Sequence, residues 1–204
     1  GRLMLFPANG LQGQNAGQPH MCEPSLYLCA RKIETASDTP LAKDRLMIPE
    51  NALTPGTIAP DFTLPRDGGG TVTLSSLRPQ KVILYFYPKD DTPGCTTEAL
   101  DFTRLGQDFA AAGSVVIGIS KDSVAAHDKF CRKHALGVIL ASDQSGNTCE
   151  DYGVWGEKSM YGKTYLGIER RTFLIDGSGK IARVWPKVKV DGHAAEVLDA
   201  VRAL

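Results

Sequence analysis

The pattern of hydrophobic and polar positions changes near residue 51. Residues 1–50 mix Gly, Gln, Asn and Pro with isolated apolar residues, and no period of 2 or 3.6 persists there long enough to predict an element. From Asn51 onward, short apolar segments alternate with turn-forming residues. We therefore predict an N-terminal extension over residues 1–50, either a mobile tail or a cloning remnant, and one folded domain over residues 51–204.

Strand patterns recur along the folded part. The run Lys81–Tyr87 is continuous in Val, Ile, Leu and aromatic residues, which predicts a strand buried on both faces. A hairpin turn is predicted at Gly177-Ser178-Gly179, between the last two strands. The other extended segments, in chain order, are Asp61–Leu64, Thr71–Leu74, Ser114–Ser120, Val138–Ala141, Arg171–Asp176 and Lys180–Trp185.

Three helices are predicted between and after these strands. Apolar residues at helical spacing predict a helix over Cys95–Ala112, and Ser123 is expected to cap a second helix that runs to Ala135. The third helix is Ala194–Leu204, with His193 as a candidate cap. Strands that alternate with helices favour a parallel core, and the final hairpin adds antiparallel strands. The predicted class is α/β, with a central mixed sheet flanked by helices.

Charge balance, the length of the apolar runs and the cysteine spacing exclude several classes of partner and location. The 23 basic residues balance the 23 acidic ones, so no net field favours nucleic acid or an anionic membrane. No apolar run approaches the about 20 residues that span a bilayer, and the opening residues lack a secretory signal. Five cysteines without a CxxC pair fit a reducing compartment, so a cytoplasmic location is expected.

Histidines and tail cysteines give little support for a metal site. His20, Cys22 and Cys29 do not have the spacing of a zinc site, and no cofactor or metal is predicted. His127 and His134 are seven residues apart on one predicted helix, and we interpret them as solvated surface residues.

The candidate chemistry lies at Cys95, between a buried strand and a helix start. Free backbone N–H groups and the helix dipole at such a position favour a thiolate over a thiol, which makes a cysteine nucleophilic. On the residues alone, a small buried hydrophobe remains an equal alternative.

The motif PxxxTxxC, filled by Pro88, Thr92 and Cys95, resembles the active-site motif of peroxiredoxins. The wider run YFYPKDDTPGCTTEA, with GVWGEKSMYGKTY and GIERRTFLID further on, resembles the bacterioferritin comigratory protein or peroxiredoxin Q group, over about residues 52–204. The resemblance implies a thioredoxin-like fold and the reduction of hydrogen peroxide and organic hydroperoxides. It also implies thioredoxin or a related dithiol as the reductant, and a monomer or weak homodimer.

The same resemblance implies a role for each site residue. Cys95 is the peroxidatic cysteine, Thr92 and Arg170 donate hydrogen bonds to the departing oxygen, and Pro88 shields the pocket. Arg170 is selected by the RxTF pattern, with the adjacent Arg171 as the fallback. Glu98 either helps to order the site or is a solvated carboxylate in the first helical turn.

The residue that resolves the oxidised Cys95 is a separate question. Many members of the group carry a resolving cysteine five residues downstream, where this chain has Leu100. Another branch carries it in the next helix, where Cys131 stands, and we predict an intramolecular Cys95–Cys131 disulfide that needs local unwinding. The alternatives are resolution by an external thiol or by Cys149.

Other functional classes have weaker support. A cysteine hydrolase needs an oriented histidine base, which no motif supplies, and a dithiol carrier needs a CxxC pair, which Glu98 interrupts. A noncatalytic redox sensor or holdase remains the alternative, since it would be oxidised once at Cys95 and would not turn over.

Overall fold

A computed structural model describes residues 53–160 and 163–204 of the chain. The predicted extension over residues 1–50 lies outside the described residues, as do His20, Cys22 and Cys29, so the expectations for them stay predictions. No helix within the described ranges is both long enough and apolar enough to cross a bilayer.

Strands and helices alternate through most of the described chain. The strands are β1 (Thr63–Pro65), β2 (Thr71–Thr73), β3 (Lys81–Phe86), β4 (Ser114–Ser120), β5 (Ile139–Ser142), β6 (Trp155–Met160), β7 (Lys163–Ile168), β8 (Arg171–Ile175) and β9 (Ile181–Trp185). The helices are α1 (Pro93–Arg104), α2 (Gly106–Ala111), α3 (Val124–His134), α4 (Thr148–Asp151) and α5 (His193–Arg202), with a 3₁₀ helix at Leu74–Leu77.

The central sheet has five strands in the order β5-β4-β3-β8-β9. β3, β4 and β5 run parallel, whereas β8 is antiparallel to both β3 and β9. The predicted α/β class with a mixed central sheet is therefore confirmed. β1 pairs with β2, and β6 pairs with β7, in two separate antiparallel hairpins.

β3 divides the core because successive side chains of a strand point to opposite faces. One set packs with β1, β2 and α4 on the first face, and the other set packs under α1, α3 and α5 on the second face. The first set is Val82, Leu84 and Phe86, and the second is Ile83 and Tyr85, with Tyr87 just after the strand on the same face as the second set. Burying each such side chain contributes roughly 1.5–3 kcal/mol, which explains why the run is apolar throughout.

The predicted single helix Cys95–Ala112 is wrong in its bounds. Helix α1 begins at Pro93 and ends at Arg104, and α2 follows after a break at Leu105, whose ψ is 7°. Gly106 begins the second helix, and glycine weakens helical continuity because it loses the most backbone freedom on ordering. The apolar spacing runs across the break because both helices pack on the same face of the sheet.

The start of the last helix also differs from the prediction. Gly192 is the N-cap residue of α5, and His193 is its first helical residue. His193 is buried, where its Nε2 atom lies 2.8 Å from the hydroxyl oxygen of Thr172. Desolvation lowers the pKa of His193 to about 4. The predicted cap is therefore wrong, because the ring packs inward against the sheet.

The hydrophobic pattern gives no prediction for the hairpin β6–β7 or for helix α4. Most described side chains of the hairpin are exposed, so the strands show no apolar alternation. Helix α4 is a single turn, too short for a helical period to show. By contrast, Ser123 caps α3 as predicted, since its hydroxyl accepts a hydrogen bond from the backbone N–H of Ala126.

Candidate active site

Cys95 lies in the first turn of α1, just beyond the end of β3. Thr92 is the N-cap residue in an extended conformation, and Pro93 occupies the first helical position, where its fixed φ suits a helix start. Cys95 follows two residues later and is 2% exposed. The backbone N–H groups of this first turn have no partner within the helix, so they are available to a negative charge at the sulfur.

Arg170 brings a cation to this sulfur. It lies between β7 and β8, and its Nη2 atom donates a hydrogen bond to Cys95 Sγ at 3.2 Å. A Cβ atom added at Gly94 would lie 3.6 Å from the same Nη2 atom, so the guanidinium also lies close to the backbone at the helix start. The side chain is mostly buried, which strengthens its interaction with the sulfur.

Glu98 contacts the other terminal nitrogen of the Arg170 guanidinium. Its Oε2 atom accepts a hydrogen bond from Nη1 of Arg170, and the residue is 1% exposed. Burial raises the pKa of Glu98 to about 7, against the opposing effect of Arg170. The interpretation of Glu98 as a solvated carboxylate is therefore wrong, because its position, one helical turn after Cys95, faces the core.

Thr92 and Pro88 lie at the two ends of the loop that leads to α1. The Thr92 hydroxyl donates to the carbonyl oxygen of Lys89 at 3.1 Å, which closes the loop, and its side chain makes no capping bond to α1. Pro88 is exposed and directly follows the buried Tyr87. The structure thus joins Arg170 to Cys95, whereas the roles of Thr92 and Pro88 toward a peroxide stay predictions.

Arg171, the fallback for Arg170, has a different partner. It begins β8, and its Nη2 atom contacts Glu169 Oε2 at 3.0 Å. Arg170, which precedes the strand, contacts Cys95 and Glu98 instead. The geometry therefore favours Arg170 as the site arginine.

Two other free cysteines lie in the described part of the chain, on opposite faces of the sheet. Cys131, on α3, packs against the same cluster of buried residues as Cys95. Cys149 is fully buried in the cluster on the other face. Burial raises the pKa of the Cys131 thiol to about 12, with a further contribution from Asp67, and it also raises the pKa of Cys149.

Two histidines of α3 contact the loop before Cys95, and the prediction of a solvated surface residue is wrong for His127, whereas His134 is partly exposed. His127 is fully buried, and its Nδ1 atom lies 2.8 Å from Asp90 Oδ2. His134 lies with its Nε2 atom 2.7 Å from Asp91 Oδ1. The seven-residue spacing indicated a shared helical face, but no local pattern showed that the loop packs against that face.

The chain resembles known proteins over the same part of its length. The AhpC/TSA family matches residues 55–184. The chain is 57% identical to a putative peroxiredoxin Bcp of Coxiella burnetii over 143 residues, which are 70% of this chain and 95% of that protein. It is 48% identical to peroxiredoxin Bcp of Bacillus subtilis over 147 residues, which are 72% of this chain and 94% of that protein.

Solved structures show the same likeness. Peroxiredoxin Q of Xanthomonas campestris is 47% identical with a TM-score of 0.67, over 70% of this chain and 90% of that chain. A structure of the bacterioferritin comigratory protein of the same organism, described for its alkyl peroxide reduction activity, is 44% identical with a TM-score of 0.69. That match covers 74% of this chain and 98% of the other. The predicted thioredoxin-like fold is confirmed.

Proposed function

This chain belongs to the AhpC/TSA family of peroxiredoxins, which are thiol-dependent peroxidases, and we propose that Cys95 is the residue that attacks the peroxide. The observation that carries the proposal is the hydrogen bond from Arg170 Nη2 to Cys95 Sγ at the start of α1. A cation and free N–H groups beside a sulfur stabilise negative charge on it. The nucleophile and the groups that stabilise it therefore meet at one place.

The proposed reaction begins with the thiolate of Cys95. The sulfur attacks the hydroxyl oxygen of a hydroperoxide, an S–O bond forms and the O–O bond breaks. Cys95 becomes a sulfenic acid, and the departing alkoxide or hydroxide takes up a proton to leave as alcohol or water. Preorganised donors aimed at the growing charge contribute several kcal/mol. Arg170, the first-turn N–H groups and the Thr92 hydroxyl are the proposed donors.

Peroxide consumption by cysteine variants tests the role of Cys95. Wild type, Cys95→Ser and Cys149→Ser are each given excess hydrogen peroxide with a dithiol reductant, and the remaining peroxide is followed over time. We expect many equivalents to be consumed by wild type and Cys149→Ser, but only the background rate in Cys95→Ser. Multiple turnovers also distinguish an enzyme from a sensor that is oxidised once. Turnover that persists in Cys95→Ser would contradict the proposal.

We further propose that Cys131 resolves the sulfenic acid of Cys95. Both residues pack on the same face of the central sheet, whereas Cys149 lies on the opposite face, with the sheet between it and Cys95. A disulfide needs Cα atoms within about 7 Å, and both sulfurs are held in helices in the reduced protein. Local opening of α1 and α3 would then precede the bond.

Family membership supports a proposal about the reactants. A hydroperoxide and a thiol reductant are the reactants of a peroxiredoxin. We propose that organic hydroperoxides serve beside hydrogen peroxide, because a similar Xanthomonas campestris protein is described for alkyl peroxide reduction. We also propose thioredoxin or a related dithiol as the reductant, a cytoplasmic location, and a monomer or weak homodimer formed by a domain over residues 51–204.

A further inference from the structure

The loop between β3 and α1 is attached to helix α3 at a buried point. His127 Nδ1 lies 2.8 Å from Asp90 Oδ2, and the two side chains are 0% and 7% exposed. A carboxylate can only accept hydrogen bonds, so Nδ1 carries the proton. Nε2 of His127 is buried without a hydrogen-bond partner among the described residues. The Tyr87 hydroxyl lies 3.5 Å from the same Nδ1 atom, so the 2.8 Å bond to Asp90 is the shorter of the two polar contacts of this ring.

Asp90 also forms hydrogen bonds with residues outside α3. Its Oδ1 atom accepts a hydrogen bond from the Tyr87 hydroxyl at 2.7 Å, and its backbone N–H donates to Asp122 Oδ2 at 2.8 Å. These contacts fix the carboxylate relative to β3 and to the segment after β4. Asp90 therefore links α3 to the residue after β3 and to the segment after β4.

A second attachment lies at the surface, near the end of the same helix. The two carboxylate oxygens of Asp91 contact Lys133 Nζ at 2.5 Å and His134 Nε2 at 2.7 Å. Asp91 has a φ of 57°, a left-handed conformation that aspartate adopts more readily than most residues. The loop is thus bound to α3 through two consecutive carboxylates.

Cys131 lies between these two attachments on α3. It is four residues after His127, so the two residues are neighbours on one helical face, and it precedes Lys133 and His134 by less than a turn. Any opening of α3 that releases Cys131 would have to break at least one attachment. In the closed helix, burial raises the pKa of the Cys131 thiol, which lowers the fraction of thiolate available for attack.

We propose that the attachments of Asp90 to His127 and of Asp91 to Lys133 and His134 act as a latch that limits how fast Cys131 reaches the oxidised Cys95. This inference rests on the proposed resolution by Cys131. In that step the S–O bond of the Cys95 sulfenic acid breaks, the S–S bond forms, and the Cys131 thiol proton leaves with the hydroxide as water. Asp90 and His127 are positioning residues in this account, since neither touches the reacting atoms.

The test compares the rate of disulfide formation in variants of His127 and Tyr87, the two side chains that contact the Asp90 carboxylate. Reduced protein is mixed with one equivalent of hydrogen peroxide, quenched at intervals with an alkylating agent, and the Cys95–Cys131 peptide is quantified by mass spectrometry. His127→Phe removes the contact with Asp90, and we expect disulfide formation about tenfold faster or more, because hydrogen bonds to charged groups are the strong ones. His127→Asn, whose amide N–H can replace Nδ1–H, is expected to restore a rate close to wild type.

Tyr87→Phe is the matched control, because it removes the hydrogen bond to Asp90 Oδ1 and keeps the 2.8 Å contact between Asp90 Oδ2 and His127 Nδ1. The hydroxyl that it removes also lies 3.5 Å from His127 Nδ1, the longer of the two contacts of that atom. The rate of this variant is expected to stay close to wild type. Equal acceleration in Tyr87→Phe and His127→Phe would assign the effect to a loosened loop and overturn the latch. An unchanged or lower rate in His127→Phe would overturn it as well.

Asp91→Asn keeps the test decisive if His127→Phe does not fold, since this substitution lies at the surface. A faster rate supports the latch, and a rate equal to wild type overturns it. The failure of the underlying function has a different signature: wild type itself would form no Cys95–Cys131 disulfide. If wild type forms the disulfide and the variants form it at the same rate, the latch is overturned but resolution by Cys131 stands.

Discussion

The Nη2 atom of Arg170 lies 3.2 Å from the sulfur of Cys95, across 75 residues of sequence. The strand order explains how this contact arises, because β8 is paired with β3 in an antiparallel register. The residue before β8 therefore lies beside the loop and helix that follow β3. One guanidinium can then contact both Cys95 and Glu98.

Arg170→Gln tests whether this contact serves the reaction with peroxide. We expect the second-order rate constant for Cys95 oxidation to fall about 100-fold or more, the effect of removing one preorganised donor from a developing oxyanion. Arg171→Gln is the matched control, because the adjacent arginine contacts Glu169 instead. Stopped-flow measurement of sulfenic acid formation compares the two variants. Equal losses in both would argue against a specific role for Arg170.

Glu98→Gln tests the buried carboxylate through the pH dependence of stability. The pKa of Glu98 is raised from 4.5 to about 7, so between these values the folded protein binds a proton that the unfolded chain has lost. The free energy of unfolding of wild type is therefore expected to fall as the pH rises through this window, by up to about 3 kcal/mol from this group. Below pH 4.5 the contribution is fully present.

Urea denaturation of both proteins between pH 4.5 and pH 8 measures this contribution as a difference. Glu98→Gln cannot ionise at this position, so its stability should lack the decline that Glu98 causes. Parallel pH profiles for wild type and variant would contradict the assignment of a raised pKa to Glu98.

Gly118→Ala tests the packing beneath the site. A Cβ atom at Gly118 would lie 2.5 Å from Cζ of Tyr85, whose ring is stacked on Phe102 with a centroid distance of 4.9 Å. We expect the free energy of unfolding to fall by about 1–3 kcal/mol, the usual effect of overpacking a core. Gly106→Ala is the control, because nothing lies within 4 Å of its added Cβ. Chemical denaturation in which Gly118→Ala is as stable as wild type would refute this packing.

The sequence was informative where one local pattern determines the structure. The apolar run of β3 predicted a central strand, since both of its faces are covered, and β4 has the bounds that its apolar run predicted. The position of Cys95 at a helix start followed from the order of strand, turn and helix. By resemblance, the PxxxTxxC motif named Cys95 and the RxTF pattern named Arg170, and the structure brings the Arg170 guanidinium to Cys95.

The sequence was uninformative where tertiary contacts determine the environment. Glu98 and His127 are charged or polar residues that single-sequence patterns place on solvated helix faces, but each packs inward against a partner far along the chain. The hairpin β6–β7 forms with little burial, so it has no hydrophobic period to detect. These features depend on which elements meet, which propensity and periodicity do not encode.

Disulfide mapping of peroxide-treated protein is the most direct test of resolution by Cys131. Wild type, Cys131→Ser and the control Cys149→Ser are oxidised, their free thiols are blocked, and the peptides are identified by mass spectrometry. We expect a Cys95–Cys131 disulfide in wild type and Cys149→Ser, and an overoxidised Cys95 in Cys131→Ser, where no thiol intercepts the sulfenic acid. A sulfenic acid at Cys95 with Cys131 still free in wild type would rule out resolution by Cys131 and assign it to an external thiol.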